Sequence, residues 1–414
     1  MWKFLIIYSF CICMSVRQLV AQENAVFADH LKSIQVEVNG EWGEPPVMLL
    51  GGSNFVEVSF DDLQHSYVRY TYSIVHCNAD WKRSDLLESE YLSGFNGNRI
   101  EDYEQSMNTE MEYNHYSVRI PNDDIKLLVS GNYRMDIYAD DGEEPVARAC
   151  FSVLESRVGV DITVSGNTDI DTNKSHQQLS FNINYRGYQA NNPQEEFKPV
   201  VCQNRRWDNC VSGLRPTYMR MDQLIYNHNR QLIFNAGNEY RRFEILDERT
   251  PTMRVDRMVY SDPYYHAEIF ADQPRRNYVY DEDQDGRYWV RNSDNEMNET
   301  ESDYFFTHFR LEMPQVAGGN MYINGELTNN RLCEQYRMDY NLMEHAYEIV
   351  MPLKQGSYNY QYLFVPDDGG AGLTSFAEGD FYQTENEYYV YVYHRAFGTR
   401  YDKLVGFGRL VFRN

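Results

Sequence analysis

The chain has 414 residues and a formal net charge of −24 at pH 7, so charge alone disfavours binding to DNA, RNA or anionic lipid. Its 35 tyrosines and an aromatic content of 15% supply enough apolar surface for folded cores, which excludes a disordered chain. A chain of this length predicts two to four domains.

The first element is an apolar run from Phe4 to Val16, which follows Lys3. It is shorter than the roughly 20 apolar residues that span a bilayer. With the small residue Ala21 just beyond it, the run predicts a secretory signal over residues 1–21 that is cleaved near Ala21. The mature protein is therefore expected to be exported, without a lipid anchor or a transmembrane segment.

Short segments that alternate polar with apolar or aromatic residues follow, such as FVEVSF (55–60), YVRYTYSIV (67–75) and QLSFNINY (178–185). This alternation predicts half-buried strands. The fold class is therefore all-β, with three consecutive antiparallel β-sandwich domains of immunoglobulin-like or E-set-like type and few short helices. Composition shifts place the domains at 22–155, 156–300 and 301–414. One helix is expected over SDLLESEYL, with Ser84 as its N-cap.

The stretch HCNADW (76–81) combines residue types that serve in thiol catalysis and in zinc sites. In a strand, however, His76 and Cys77 point to opposite faces, which is poor geometry for a shared site. Cys77 then joins Val75 on the apolar face, where a buried thiol acts as a small apolar group. The spacing favours a structural role over catalysis.

Two further patterns carry possible chemistry. Cys202 and Cys210 are the closest pair among the five cysteines beyond residue 21, and export permits a disulfide between them. DEDQDG (281–286) matches the opening of a calcium loop, but Asn292 stands where the closing Glu belongs. The interpretation is an acidic turn, with weak calcium binding by Asp281, Asp283 and Asp285 as the alternative.

The third domain resembles the glycogen- and starch-binding sandwich modules in the tract around Gly356, Tyr358 and Tyr360. That family stacks sugars on tryptophans, whereas Asn329 and Asn330 stand where the first Trp is expected. The scaffold is therefore expected without favouring carbohydrate binding, unless tyrosines supply the stacking faces.

Several segments together resemble the plug proteins of the type IX secretion system of the Bacteroidetes phylum. The most specific is YVRYTYSIVHCNADWKRSDLLESEYLSGF (67–95), and others are FVEVSFDDL (55–63), SGNYRMDIYADDGEEPVARACFSVLE (130–155), YDEDQDGRY (280–288), KQGSYNYQY (354–362) and RYDKLVGFG (400–408). The resemblance makes a structural signature of His76, Cys77, Asn78, Asp80 and Trp81.

The resemblance also implies a function. A plug protein is periplasmic, lies peripheral to the outer membrane, and closes the periplasmic opening of the translocon barrel. It needs no catalytic group and no cofactor, and the resemblance carries no docking residues. A periplasmic carbohydrate-binding module stays open as an alternative. A glycoside hydrolase is a further class, which would need two carboxylates facing each other across a cleft.

Overall fold

The structure is a computed structural model that describes residues 24–140, 142–294 and 297–413. The predicted signal segment 1–21 lies outside the described residues. The described part of the chain contains three α-helices, each of four residues: α1 Glu88–Tyr91, α2 Pro193–Glu196 and α3 Asn298–Glu301. None of the helices in these ranges is long and apolar enough to cross a membrane. The predicted all-β class is confirmed.

Twelve strands build the first sandwich, which ends at residue 154. They are β1 Ala25–Val26, β2 Leu31–Val38, β3 Val47–Leu49, β4 Val56–Asp62, β5 Tyr70–Cys77, β6 Leu92–Ser93, β7 Asn98–Arg99, β8 Asp102–Gln105, β9 Asn114–Ile120, β10 Lys126–Leu127, β11 Gly131–Ala139 and β12 Ala147–Leu154. One sheet has the order β1-β12-β11-β5-β7 with β3 beside β12, and the other β2-β4-β9-β8. Their inward side chains share one apolar core.

Eighteen strands follow within the described residues. They are β13 Gly159–Ser165, β14 His176–Asn184, β15 Phe197–Gln203, β16 Arg206–Val211, β17 Tyr218–Arg220, β18 Gln223–Tyr226, β19 Ile233–Asn235, β20 Arg241–Ile245, β21 Val255–Ser261, β22 Tyr264–Ile269, β23 Tyr288–Val290, β24 Tyr304–Glu312, β25 Gly319–Asn324, β26 Asp339–Asn341, β27 Ala346–Lys354, β28 Gly356–Pro366, β29 Asn386–His394 and β30 Lys403–Phe412. Most pairs are antiparallel, whereas β3–β12 and β22–β24 are parallel.

The second sandwich is completed by the last two strands of the chain. Its sheets are β13-β14-β18-β17 with β19 beside β14, and β16-β15-β29-β30. These sheets share one core, to which β14, β15, β18, β29 and β30 contribute. The third sandwich, between residues 241 and 366, pairs β20-β28-β23 and β25 against β21-β22-β24-β27-β26.

The third sandwich is thus inserted into the second, and the pairing crosses the boundary expected at residue 300. The expected segments 156–300 and 301–414 are corrected on this point. Alternation along a strand predicts which residues face the core but carries no information on a partner strand nearly two hundred residues away. We propose instead a second domain of residues 156–235 and 386–412 around a third domain of residues 241–377.

The helix expected to begin at Ser84 is also corrected, because α1 begins at Glu88. The Ser84 hydroxyl does not cap this helix. It lies 2.9 Å from Nδ1 of His76 instead. The hydroxyl also accepts from the Leu86 N–H at 3.4 Å, although no helix begins at that point.

A buried ion pair, here called the Asp61–Lys354 joint, connects the first sandwich to the third. Nζ of Lys354 on β27 donates to Oδ2 of Asp61 on β4 at 2.7 Å, and the Tyr304 hydroxyl donates to the same oxygen at 2.6 Å. Nδ1 of His115 lies 2.7 Å from Oδ1. Although burial opposes it, the nearby Lys354 ammonium and His115 hold the pKa of Asp61 below its usual value.

Candidate functional site

His76 lies on the inner face of β5 and is fully buried. Its Nε2–H donates to the carbonyl of Ser130 at 3.2 Å, which leaves Nδ1 to accept from the Ser84 hydroxyl. Burial lowers the pKa of His76 to about 4, so the imidazole is neutral near pH 7. A Cβ on Gly131 would lie only 2.4 Å from Nε2, so glycine at this position makes room for the ring. His76 therefore has a packing role.

Cys77 faces the opposite side of β5, beside Trp81 and Cys150. The side chain is fully buried, and burial raises the pKa of its thiol to about 11. A thiol in that range is neutral at pH 7 and a poor nucleophile. The structure therefore does not bring His76 and Cys77 together as a catalytic pair.

The turn after β5 joins the first domain to the second through a set of contacts here called the Asp402 clasp. The carboxylate of Asp402 accepts from the backbone N–H of Ala79 at 3.0 Å and from Nζ of Lys198 at 2.9 Å. It also pairs with Nε of Arg395 at 2.9 Å. Oδ1 of Asn78 accepts from Arg395 at 2.7 Å and from the Asp402 N–H at 3.2 Å. The signature turn is thus one half of an interdomain contact.

A cleft of ≈ 510 Å³ lies beside this clasp, between the turn and strands β15 and β16. The indoles of Trp81 and Trp207 meet edge-on there, with ring centroids 5.5 Å apart. Trp81 is 4% exposed, and its Nε1–H has no hydrogen-bond partner among the described residues. Phe197 and Arg215 also line the cleft. Its size and largely apolar wall are typical of a binding site.

The three aspartates of the DEDQDG turn have three separate surroundings. Asp281 pairs with Arg242 at 2.5 Å, whereas Asp283 accepts from the backbone N–H groups of Tyr240 and Asp285. Chiefly through burial, the pKa of Asp283 is raised to about 7, and that of Asp285 well above its usual value. In the described ranges, no group of three His, Cys, Asp or Glu residues is arranged to hold a metal ion. Calcium binding by the three aspartates stays a prediction, which their separate partners do not favour.

A disulfide joins Cys202 on β15 to Cys210 on β16, the pair that the sequence favoured. Tyr358 and Tyr360, the proposed stacking faces of the third domain, are buried in its core. The Tyr360 hydroxyl donates to Asp272 at 2.7 Å. These tyrosines cannot present a surface to a sugar. The alternative that tyrosines of this strand stack against carbohydrate is therefore corrected.

The partners of the signature turn could not be identified from the local sequence. Asp80, the remaining signature residue, pairs with Lys82 at 3.2 Å near the surface. The clasp residues Lys198, Arg395 and Asp402 lie more than a hundred residues further along. Only Asp402 could have been singled out from the sequence, because it lies in the segment RYDKLVGFG that resembles the plug family.

These features define a class: an all-β protein of three interlocked sandwiches, whose signature residues pack the first domain and fix it to the second. Comparison with models of protein families finds a match for the first domain. The model of the type 9 secretion system plug protein 1st domain covers residues 31–155. Residues 31–155 therefore belong to the family of type 9 secretion system plug protein first domains.

One solved structure shares this fold over most of the chain. The crystal structure of a hypothetical protein from Parabacteroides merdae ATCC 43184 is similar at 45% sequence identity, with a TM-score of 0.93, over 94% of this chain and 99% of that one. The C-terminal domains of the antigen I/II-type proteins BspA of Streptococcus agalactiae and AspA of Streptococcus pyogenes are matched over 92% of this chain and 100% and 99% of theirs. Their identities are 6% and 9% and their TM-scores 0.15 and 0.17, too low for any argument. Curated proteins gave no match.

Proposed function

We propose that this protein is a non-catalytic plug that closes the periplasmic opening of the type IX secretion translocon barrel in the outer membrane. The observation that carries the proposal is the plug-domain match over residues 31–155. The protein acts in the periplasm, peripheral to the outer membrane, after cleavage of the signal near Ala21. It uses no cofactor.

The way the domains are joined suits a seal. The Asp61–Lys354 joint ties the first domain to the third, and the Asp402 clasp ties it to the second. Between the second and third domains, the buried Arg287 guanidinium pairs with Glu387. A body held at three internal junctions presents a fixed outer shape, and a docking face on it needs roughly 1,200–2,000 Å² of buried surface for a stable complex.

The direct test is purification of the tagged protein from outer-membrane extracts, followed by identification of what binds it. We expect the translocon barrel to co-purify. Deletion of the gene is expected to make the outer membrane permeable to large antibiotics and dyes, and re-expression to restore the seal. If the barrel does not co-purify and deletion leaves permeability unchanged, the plugging function is wrong.

Substitutions of single acidic residues separate a seal from an enzyme. We expect Glu344→Gln, a variant at an exposed ion pair with Arg310, to restore the seal like the wild type, since a seal depends on area and shape. If a folded, barrel-binding variant of this kind lost all function, the hydrolase alternative would replace the plug.

A second candidate is glycan binding, which one surface feature favours. Trp42 and Trp289 are 40% and 48% exposed and lie side by side, with ring centroids 6.0 Å apart. Half-exposed tryptophans are suited to stacking against apolar faces. Binding of soluble glycans that Trp289→Ala abolishes, with no barrel in the purification, would favour this candidate.

A further inference from the structure

An acidic cleft of ≈ 640 Å³ lies beside the DEDQDG turn. Its described lining comprises five carboxylate residues, two tyrosines, one glutamine and one arginine, among them Glu239, Asp281, Asp283, Glu385, Tyr280 and Arg413. Carboxylates at this density repel one another, and their repulsion is relieved by a cation.

Glu239 has a carboxylate oxygen without a partner. The residue is 2% exposed, and Oε1 accepts from the Tyr278 hydroxyl at 2.6 Å and from the Glu385 N–H at 3.1 Å. Oε2 is buried and has no hydrogen-bond partner among the described residues. A buried acceptor left unpaired costs free energy, and a donor arriving from the cleft recovers it.

The neighbouring carboxylates differ from Glu239 in having partners already. Asp281 pairs with Arg242, and Asp283 accepts two backbone N–H groups. Glu385 pairs with Nε of Arg413 at 3.1 Å, although the Arg413 side chain is 75% exposed. The chain's own arginine therefore already places a guanidinium in this cleft.

We propose that this acidic cleft binds the guanidinium group of an arginine side chain presented by a partner protein. A guanidinium offers five donors in a planar fork, which matches carboxylate oxygens and can also lie over an aromatic ring. Tyr280, which is 70% exposed at the cleft, supplies that ring. A metal ion is not the occupant, since no three acidic residues of the described chain converge to ligate one.

The inference goes beyond plugging and does not depend on it, because the cleft can be tested on the isolated protein. The probe is N-acetyl-L-argininamide, titrated calorimetrically into the mature chain at low ionic strength. We expect binding that weakens as salt is added. We expect N-acetyl-L-lysinamide to bind less tightly, because an ammonium lacks the planar fork.

Glu239→Gln is the decisive variant. It keeps Oε1 for Tyr278 and Glu385 and replaces the unpaired oxygen by an amide donor, so binding is expected to weaken about 10-fold or more. Glu112→Gln is the matched control, since Glu112 is an exposed acid paired with His65, and it should leave binding unchanged. Tyr280→Ala, at an exposed side chain that cannot unfold the core, should also weaken binding.

Removal of the chain's own arginine from the cleft should instead strengthen binding of the probe. Arg413→Ala should bind the argininamide several-fold more tightly, because the probe no longer competes with that side chain. Three results would each overturn the proposal. The wild type does not bind the probe, Glu239→Gln and Tyr280→Ala both bind it as tightly as the wild type, or Arg413→Ala leaves its affinity unchanged. Displacement of the probe by micromolar Ca²⁺ would also overturn it, in favour of a metal site.

Discussion

The Asp61–Lys354 joint and the Asp402 clasp both place a carboxylate between two domains, but they differ in how much water reaches the partner cations. At the joint, the side chains of Lys354 and Asp61 are 2% and 1% exposed. At the clasp, Asp402 is buried to a similar degree, whereas Lys198 and Arg395 are 41% and 31% exposed. The joint is sealed from solvent, and the clasp borders an open cleft.

This difference shows that the contribution of an ion pair to stability depends on whether water can solvate the charge that remains when its partner is removed. A cation removed from a sealed pair leaves a buried charge with no means of solvation. A carboxylate removed from a clasp with exposed cations leaves groups that water can solvate. The two contacts should therefore respond unequally to comparable substitutions, although their distances are alike.

The largest effect is expected for Lys354→Met, which leaves Asp61 buried without its main counter-charge. The free energy of unfolding should fall by roughly 3–5 kcal/mol, measured by urea denaturation of the mature protein. Adding Asp61→Asn should recover part of the loss, because two neutral groups carry no charge burial cost. Lys82→Met, at an exposed pair, is the control and should stay within about 0.5 kcal/mol of the wild type.

A smaller effect is expected for Asp402→Asn, which keeps the shape of the side chain and removes its charge. Loss of charge-assisted hydrogen bonds from Lys198 and the Ala79 N–H should cost roughly 1.5–3 kcal/mol in the same denaturation experiment. If this variant loses as much stability as Lys354→Met, the contrast between the joint and the clasp does not hold.

The apolar side of the clasp is tested by Cys77→Ser, which places a hydroxyl among Trp81 and Cys150. We expect a loss of roughly 1–3 kcal/mol in unfolding free energy. Because burial raises the pKa of the Cys77 thiol to about 11, iodoacetamide should also label it slowly in the folded protein. Site-resolved mass spectrometry measures the labelling, and fast modification of Cys77 under native conditions would contradict its burial.

A further effect concerns pH rather than a substitution. Because burial lowers the folded-state pKa of His76 to about 4, the unfolded chain binds this proton first as pH falls below the ordinary histidine range. Stability should therefore decrease between about pH 6.5 and pH 4, by at most about 1.4 kcal/mol per pH unit from this group. His76→Gln should reduce that slope in denaturation curves, whereas a variant of the exposed His228 should retain it.

Sequence reasoning succeeded where the information is local. Alternation placed β4, β5 and β14 correctly, and the same rule put His76 and Cys77 on opposite faces of a strand. It failed where a distant partner decides the outcome. The Ser84 hydroxyl bonds to His76 and to the Leu86 N–H, and the helix begins only at Glu88. The domain order could not be predicted, because β15 pairs with β29 across an inserted domain.

The candidate sites show the same limit. The acidic turn was recognised, but the different fates of Asp281 and Asp283 depend on Arg242 and on the Tyr240 N–H, which lie about forty residues earlier. The Asp61–Lys354 pair spans almost three hundred positions, and nothing near Lys354 in the sequence marks it as buried. Exposure and pairing are properties of the assembled sheets, so motif spacing carries neither.

The insertion of the third sandwich also sets the order in which the chain is able to fold. Strand β15 is synthesised well before its neighbour β29, since about 150 residues separate the two halves of that domain. Until β29 arrives, β15 presents an open strand edge to its surroundings, the kind of edge that pairs wrongly with other chains. Completion of the inserted domain first would bring the two halves together and shorten the effective loop to be closed. The second domain consequently closes only after β29 and β30 have been made, later than the first domain, and its open edge needs protection until then.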